Sequence, residues 1–279
     1  MRARRLLPAL VVLGASAPAA ADLEATAPCA EHIDDPVTLP WRDSGIDGGR
    51  GGCLHADVAV RLGARALVDT PDFYGTLGGD ATVQIRLLEE WGLEWGFSLR
   101  AVDAVFVQNA VLAVDELGYG PLGAHVAWGG DGVLAGRPFV RALHARVEVP
   151  FTRSRLDSSS GGLLVGAGVT WLLAPRVRLH GHAGALGWYA SSTSGRTGRA
   201  AALASVDLTA RPVRWLALFA GADVQAGWYG WGLDHLALRG GGHWRVKGLW
   251  RVELAAGLPV AGAERMDVAG VLSVRRDLD

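Results

Sequence analysis

Histidine is the residue whose spacing first suggests chemistry in this sequence. His180 and His182 are one residue apart, so in a β-strand their imidazoles would share one face, about 7 Å from each other. A zinc-type metal site would also need ligands from neighbouring strands, and the sequence does not indicate which residues those would be. We therefore interpret the pair as polar lining, and we predict no metal site and no cofactor.

A nucleophilic site receives little support. A serine nucleophile needs a histidine base within hydrogen-bond reach. The sequence contains no His-x-Ser pair, and its only asparagine, Asn109, is far along the chain from Ser205. We predict that the protein is not an enzyme.

Overall charge and cysteine content exclude further classes. The formal net charge of the 279-residue chain is −1, which gives no electrostatic reason to expect nucleic acid as a partner. The two cysteines, Cys29 and Cys53, are too few for a disulfide scaffold or a four-cysteine zinc site. They could form one disulfide, which would stabilise the fold by about 3 kcal/mol; the alternative is two free thiols.

Elements that would position polar side chains begin at Cys53, where apolar and polar residues start to alternate. In the first segment Leu54, Val58 and Leu62 share one face, while Asp57 and Arg61 share the other. This period of two is typical of β-strands. We count twelve such segments: 53–67, 80–89, 92–115, 121–129, 137–151, 161–173, 176–189, 199–211, 213–228, 234–247, 249–259 and 264–276. The third is too long for one span, and 161–173 and 213–220 are apolar on both faces.

The connections between these segments alternate in kind. We predict tight turns at 89–91, 174–176, 211–213 and 247–248, and longer polar or glycine-rich loops at 68–79, 152–160, 190–198 and 229–233. Short turns at one end and longer loops at the other are typical of membrane barrels. The predicted fold is therefore all-β: a transmembrane antiparallel up-and-down β-barrel of about twelve strands, with ten or fourteen as alternatives.

Tryptophans cluster near the predicted strand ends. Amphipathic rings of this kind gather at the two interfaces of a bilayer. The predicted aromatic belts contain Trp91, Trp95, Trp128, Trp171, Trp188, Trp228, Trp244 and Trp250.

The N-terminus has the pattern of an export signal. Arg2, Arg4 and Arg5 precede a short apolar run, and Ala19–Ala21 provides a small-residue cleavage site. We predict a signal peptide at 1–21, a periplasmic arm at 22–52, and an outer-membrane barrel at 53–279.

With its signal peptide, alternation and belts, the chain resembles bacterial outer-membrane β-barrel proteins as a class, over about residues 53–276. The resemblance implies a Gram-negative outer membrane as the location. It also implies the lipid bilayer and the barrel-assembly machinery as partners. Some barrels of similar size hydrolyse lipids, which remains a weak alternative here.

The polar faces of the strands would line the lumen of such a barrel. The candidate lumen residues are Arg61, Arg65, Arg86, Arg100, His144, Arg146, Glu148, Arg178, His180, His182, Asp207, Arg239, His243, Arg245, Arg251 and Glu253. Basic side chains outnumber acidic ones on these faces, and arginine rings in a pore favour anions. We therefore predict a porin-like passage for small solutes with an anion preference. The alternatives are a lumen plugged by arginine–carboxylate pairs, a structural or surface-binding barrel, and a soluble secreted barrel.

Overall fold

The computed structural model describes residues 27–29, 51–69, 74–108, 113–149, 159–192, 195–227, 230, 232–247, 249–263 and 267–278. Nearly all of these residues lie in β-strands. The strands are β1 Asp57–Asp69, β2 Tyr74–Glu89, β3 Leu93–Gln108, β4 Ala113–Gly118, β5 Leu122–Leu134, β6 Arg137–Val149, β7 Ser159–Ala174, β8 Val177–Ser192, β9 Gly195–Val213, β10 Leu216–Ala226, β11 Leu233–Lys247, β12 Trp250–Ala261 and β13 Val268–Asp277. Within the described ranges, no helix is long and apolar enough to cross a bilayer.

These strands close into one antiparallel barrel. β1 pairs with β2 on one side and with β13 on the other, from Val68↔Val268 to Ala59↔Asp277. β4 pairs with the second half of β3, and β5 pairs with the first half. β4 and β5 therefore occupy the same place in the sheet, next to β3, and count as one strand of the barrel. The barrel thus has twelve strands. The predicted fold is confirmed.

The overlong predicted segment 92–115 contains two strands. It corresponds to β3 and the beginning of β4, joined through residues outside the described part of the chain. Within β3, Ala101 is an extra residue, because Thr82 pairs with Arg100 whereas Ala81 pairs with Val102. Such a bulge shifts the alternation by one residue. The segment was too long for one span because it contains all of β3 and the beginning of β4.

The turns that join β2 to β3, β5 to β6, β7 to β8, β9 to β10 and β11 to β12 lie at one end of the barrel, which we call the short-turn end. The opposite end is the loop end; there β8 extends to Ser192 and β9 begins at Gly195, so the connection is shorter than the predicted loop 190–198. The turn between β5 and β6 is Ala135–Gly136, with φ of 51° and 72°, as a two-residue turn of type I′ requires. The sequence analysis did not single out this turn. It also placed one turn at 211–213, but β9 continues to Val213 and the turn lies at 214–215.

The two faces of the wall differ as the alternation predicts. Outward side chains are large, apolar and exposed, for example Leu62 and Leu143, each 58% exposed. Inward neighbours in β1, such as Asp57 and Ala59, are buried. The apolar exterior suits a hydrocarbon environment, in which closure of the sheet satisfies the backbone groups that lipid cannot. The first strand begins at Asp57, four residues later than the predicted start of the barrel at Cys53.

Candidate functional site: the barrel lumen

The alternation places the predicted lumen residues on the inner face of the wall. Ten of them are buried there: His144, Glu148, Arg178, His180, His182, Asp207, Arg239, His243, Arg251 and Glu253. Arg61, Arg65, Arg86, Arg100 and Arg146 are partly exposed on the same face. Arg245 is exposed at the short-turn end, where β11 approaches its turn. The structure thus brings these side chains to the inner face of the wall, and it shows which of them meet, which the local sequence pattern could not.

Many of the lumen arginines are paired with carboxylates. Arg239 donates to both oxygens of Asp207, with Nε to Oδ1 at 2.9 Å. Arg146 lies 2.6 Å from Glu148. Such pairs satisfy charges that would otherwise be costly to bury. These pairs therefore neutralise part of the positive charge of the lumen arginines.

The seam where the barrel closes contains a second ionic cluster. Asp57 of β1 accepts from Arg86 Nε at 2.7 Å and also pairs with Arg275 of β13. Asp277 accepts from Arg251 at 2.6 Å and from Arg275 at 3.0 Å. These contacts join β1, β2, β12 and β13 at the short-turn end. The sequence analysis did not assign Asp277 to the inner face, because its partners are brought together only by closure.

Two further carboxylates, which the sequence analysis did not assign to the lumen, also face inward. Asp80 lies beside Gly63 on the inner face of β1 and β2. Asp234 is buried and accepts from Gln225 at 3.2 Å. The positive excess estimated from the sequence is therefore reduced.

Most of the lumen histidines contact a carboxylate or a hydroxyl. His125 Nε2 lies 2.9 Å from Glu94, and His235 Nε2 lies 2.8 Å from Asp223. His243 is 3.8 Å from Glu253. The remaining histidines of this lining are considered separately below.

The His180-x-His182 pair does not act as a unit. His180 Nδ1 lies 3.0 Å from the hydroxyl of Thr170, whereas His182 Nε2 faces His144 Nε2 at 3.1 Å. Across the described ranges, no group of three or more potential metal ligands occurs. The register also places Ser205 opposite His182, but no hydrogen bond joins them.

Beginning at the disulfide, the N-terminal arm enters the short-turn end of the barrel. Cys29 and Cys53 are bonded to each other, as one of the two alternatives for these cysteines predicted. Arg178 of β8 is fully buried; its Nε donates to the carbonyl of Pro28 at 3.0 Å and its Nη2 to that of Ala27 at 2.8 Å. Its guanidinium therefore holds Ala27 and Pro28, just before Cys29, against the inner wall.

Residues 51–56 continue along the inside of the wall from β8 towards β1. The Gly52 N–H donates to the hydroxyl of Thr170 in β7 at 3.1 Å, and the His55 N–H donates to the Glu94 carboxylate in β3 at 2.7 Å. Between these contacts, Gly52 also lies against the backbone of Val140 in β6. The described pieces of the arm thus line about half of this mouth from within. The sequence analysis placed the arm outside the barrel; the cysteine pair was the one signal of its attachment.

Trp188 corrects one predicted belt position. Its place in β8 puts it on the inner face, where it packs with Leu203 against a buried cluster of Leu164, Leu186 and Ala201. A second inner cluster contains Leu67, Phe219, Ala237, Ala255, Ala269 and Val271. The sequence analysis found segments 161–173 and 213–220 apolar on both faces, and Leu164 and Phe219 of these segments belong to the two inner clusters. A large apolar side chain can therefore point inward there.

The other described belt tryptophans lie on the outside or at turns near the short-turn end. Trp91 and Trp128 are 83% and 61% exposed. Trp95, Trp171, Trp244 and Trp250 occupy outward positions in their strands, and the Arg276 guanidinium lies over the Trp250 ring at 5.3 Å. Trp228 and the predicted signal peptide lie outside the described residues.

Comparison with known proteins identifies the fold but no closer relative by sequence. No protein-family model and no curated protein matches the chain. An outer-membrane channel from Pseudomonas putida superposes with a TM-score of 0.66 at 9% identity, covering 84% of this chain and 100% of that one. The β domain of a Bordetella autotransporter superposes with a TM-score of 0.52 at 13% identity, covering 79% and 98%. By its fold and its apolar exterior, the chain therefore has the architecture of bacterial outer-membrane β-barrels.

Proposed function

We propose that this barrel is a porin-like passage for small solutes, and that residues 27–29 and 51–56 narrow its short-turn end. The observation that carries the proposal is the contact between the arm and the inner wall. Arg178 is fully buried and donates to two arm carbonyls. If the arm lay outside the barrel, these hydrogen bonds of the buried guanidinium could not form. A closing element of this kind suits a passage that is not permanently open.

The chemistry of the contact supports closure that can be reversed. Two of the links are single hydrogen bonds from arm N–H groups, to Thr170 and to Glu94. A typical hydrogen bond contributes about 0.5–1.5 kcal/mol net, and one to a charged group contributes somewhat more. These links are individually weak, whereas the disulfide ties the arm to the start of β1 permanently. The arm can therefore leave the wall and still remain attached.

An anion preference is the finer part of the proposal. Arg65 lies inside β1 in the half nearer the loops, and Arg245 lies at the opposite mouth. Positive side chains at both entrances favour anions over cations. The inward carboxylates described above reduce this preference, so we expect it to be moderate.

Planar-bilayer conductance tests the proposal directly. The mature oxidised protein is compared with a barrel that begins at Asp57, the first residue of β1, and so lacks the arm and residues 53–56. It is also compared with the C29S/C53S double variant, which keeps the arm but not its disulfide. We expect low conductance for the mature protein, high conductance for the armless barrel, and intermittent opening for the double variant. An armless barrel that inserts but carries no current would refute passage and leave a structural or surface-binding barrel.

Ion selectivity is then measured in the armless barrel. The R65Q/R245Q variant should lower the chloride-over-potassium permeability ratio. Arg141, which faces outward from β6, provides the matched control, and R141Q should leave the ratio unchanged. Equal ratios in all three proteins would refute the anion preference without affecting the passage itself.

A further inference from the structure

Two imidazoles meet on the inner wall of the barrel. His144 of β6 and His182 of β8 are 8% and 6% exposed. Their Nε2 atoms are 3.1 Å apart, and their ring centroids are 5.0 Å apart. Because the nitrogens are closer to each other than the ring centres, the two Nε2 atoms point towards a common region.

The meeting depends on a glycine in the strand between them. β7 separates β6 from β8, and Gly166 of β7 pairs with His144 on one side and with Gly184 on the other. A Cβ atom on Gly166 would lie 2.7 Å from His182 Nε2 and 3.0 Å from His144 Nε2. Only a residue without a side chain therefore lets the two imidazoles approach across β7.

We propose that His144 and His182 form a two-imidazole site for a first-row divalent transition-metal ion. Imidazole is a preferred ligand for such ions, and Cu²⁺ binds nitrogen sites most strongly among them. With metal–nitrogen bonds of about 2.0–2.1 Å, a 3.1 Å separation corresponds to an angle of about 100° at the metal. This lies between the adjacent-ligand angles of square-planar and tetrahedral sites.

The protein supplies two ligands, and water or a small anion from the lumen completes the coordination. Without metal, one Nε2–H donates to the other Nε2. When the metal binds, that proton leaves Nε2 and the ring carries its proton on Nδ1 instead, so both imidazoles stay neutral and no electron is transferred. Because the site is incomplete without solvent ligands, it suits an ion that exchanges with the lumen.

Electron paramagnetic resonance with Cu²⁺ tests the site in the full mature protein, folded in detergent and free of any polyhistidine tag. One equivalent of Cu²⁺ should give a superhyperfine pattern from two nitrogens. H144Q and H182Q should each reduce the number of coupled nitrogens and weaken Cu²⁺ binding, measured by calorimetry, by at least about tenfold. G166A retains both histidines but separates them, and it should also lose the two-nitrogen pattern.

His180 provides the matched control, because it lies two residues from His182 on the same face but contacts Thr170 instead. H180Q should keep both the pattern and the affinity. Loss of binding in H180Q but not in H144Q would assign the metal to the His180-x-His182 pair and overturn the proposal. Equal binding by all variants would mean adventitious ions elsewhere, with the same consequence. Heat-dependent mobility on gels verifies that each variant is folded.

Discussion

The short-turn half and the loop half of the lumen bury their side chains by different means. Towards the short turns, buried groups such as Glu94, Arg178 and Asp207 are ionic and are held by directional hydrogen bonds. Towards the loops, apolar side chains such as Leu164 and Leu186 pack without polar partners. Both halves belong to the same strands and share the same apolar exterior.

The difference indicates in which half of the lumen a closing segment can bind at one defined place. A buried charge needs a partner of the correct geometry, so a segment that supplies partners can seat in only one place. Apolar contacts are not directional and fix no such seat. The arm accordingly contacts the ionic half, and the predictions below test the two halves separately.

The largest effect is expected in the ionic half. D207A removes the bidentate partner of the Arg239 guanidinium, which then keeps only its 3.7 Å contact with Asp223. Breaking a buried pair costs about 3–5 kcal/mol of unfolding free energy, and we expect a loss at the lower end of this range. Urea unfolding of the vesicle-folded barrel measures the loss. The double variant D207L/R239M removes both charges and should recover most of it. A loss in D207A below about 1 kcal/mol would mean that this half is not held by its ion pairs.

A charge on the shared exterior should cost somewhat less. Leu62 lies outward in the middle of β1, and L62R should destabilise the barrel by about 2–4 kcal/mol in vesicles. Gln84 faces inward on the neighbouring strand, and Q84R should cost under about 1 kcal/mol. Equal costs would contradict the assignment of the two faces.

The loop half should respond to lost volume instead of lost charge. L186A removes a buried side chain of the inner apolar cluster and should cost about 2–3 kcal/mol. Leu163 faces outward on β7 and is 49% exposed, so L163A should cost less in the same urea titration. If L163A proved the more damaging, the inner cluster would not stabilise this half.

The smallest effect concerns the seat of the arm. R178Q keeps a donor but loses the two-pronged contact with Ala27 and Pro28, so it should destabilise the closed arm by about 1–2 kcal/mol. The Cys29–Cys53 disulfide should then be reduced several-fold faster by a water-soluble phosphine. R245Q, at the mouth but outside this contact, serves as the control. An unchanged reduction rate in R178Q would show that Arg178 does not hold the arm.

Much of the wall could be predicted because facing is a local property. Each inward or outward assignment in β1, from Asp57 to Arg65, needed only the two-residue period of an extended chain. The two-residue period gave wrong results at two places. The extra residue Ala101 shifts the facing within β3, and Trp188 points inward because the lumen is apolar there. The bulge leaves no mark on the alternation, whereas the apolar part of the lumen leaves one in segments 161–173 and 213–220, which are apolar on both faces.

By itself, the sequence determined the β class, the apolar exterior, the approximate strand number and the lumen lining, since all of these follow from side-chain period and turn spacing. Only the tertiary structure decided that the arm lies inside the mouth against Arg178, and that His144 meets His182 across Gly166. Both depend on strand register and on the packing of the wall, since Ala27 and Arg178 are 151 positions apart in the sequence. Contacts between such distant residues are set by the packing of the whole wall, and no local pattern encodes them.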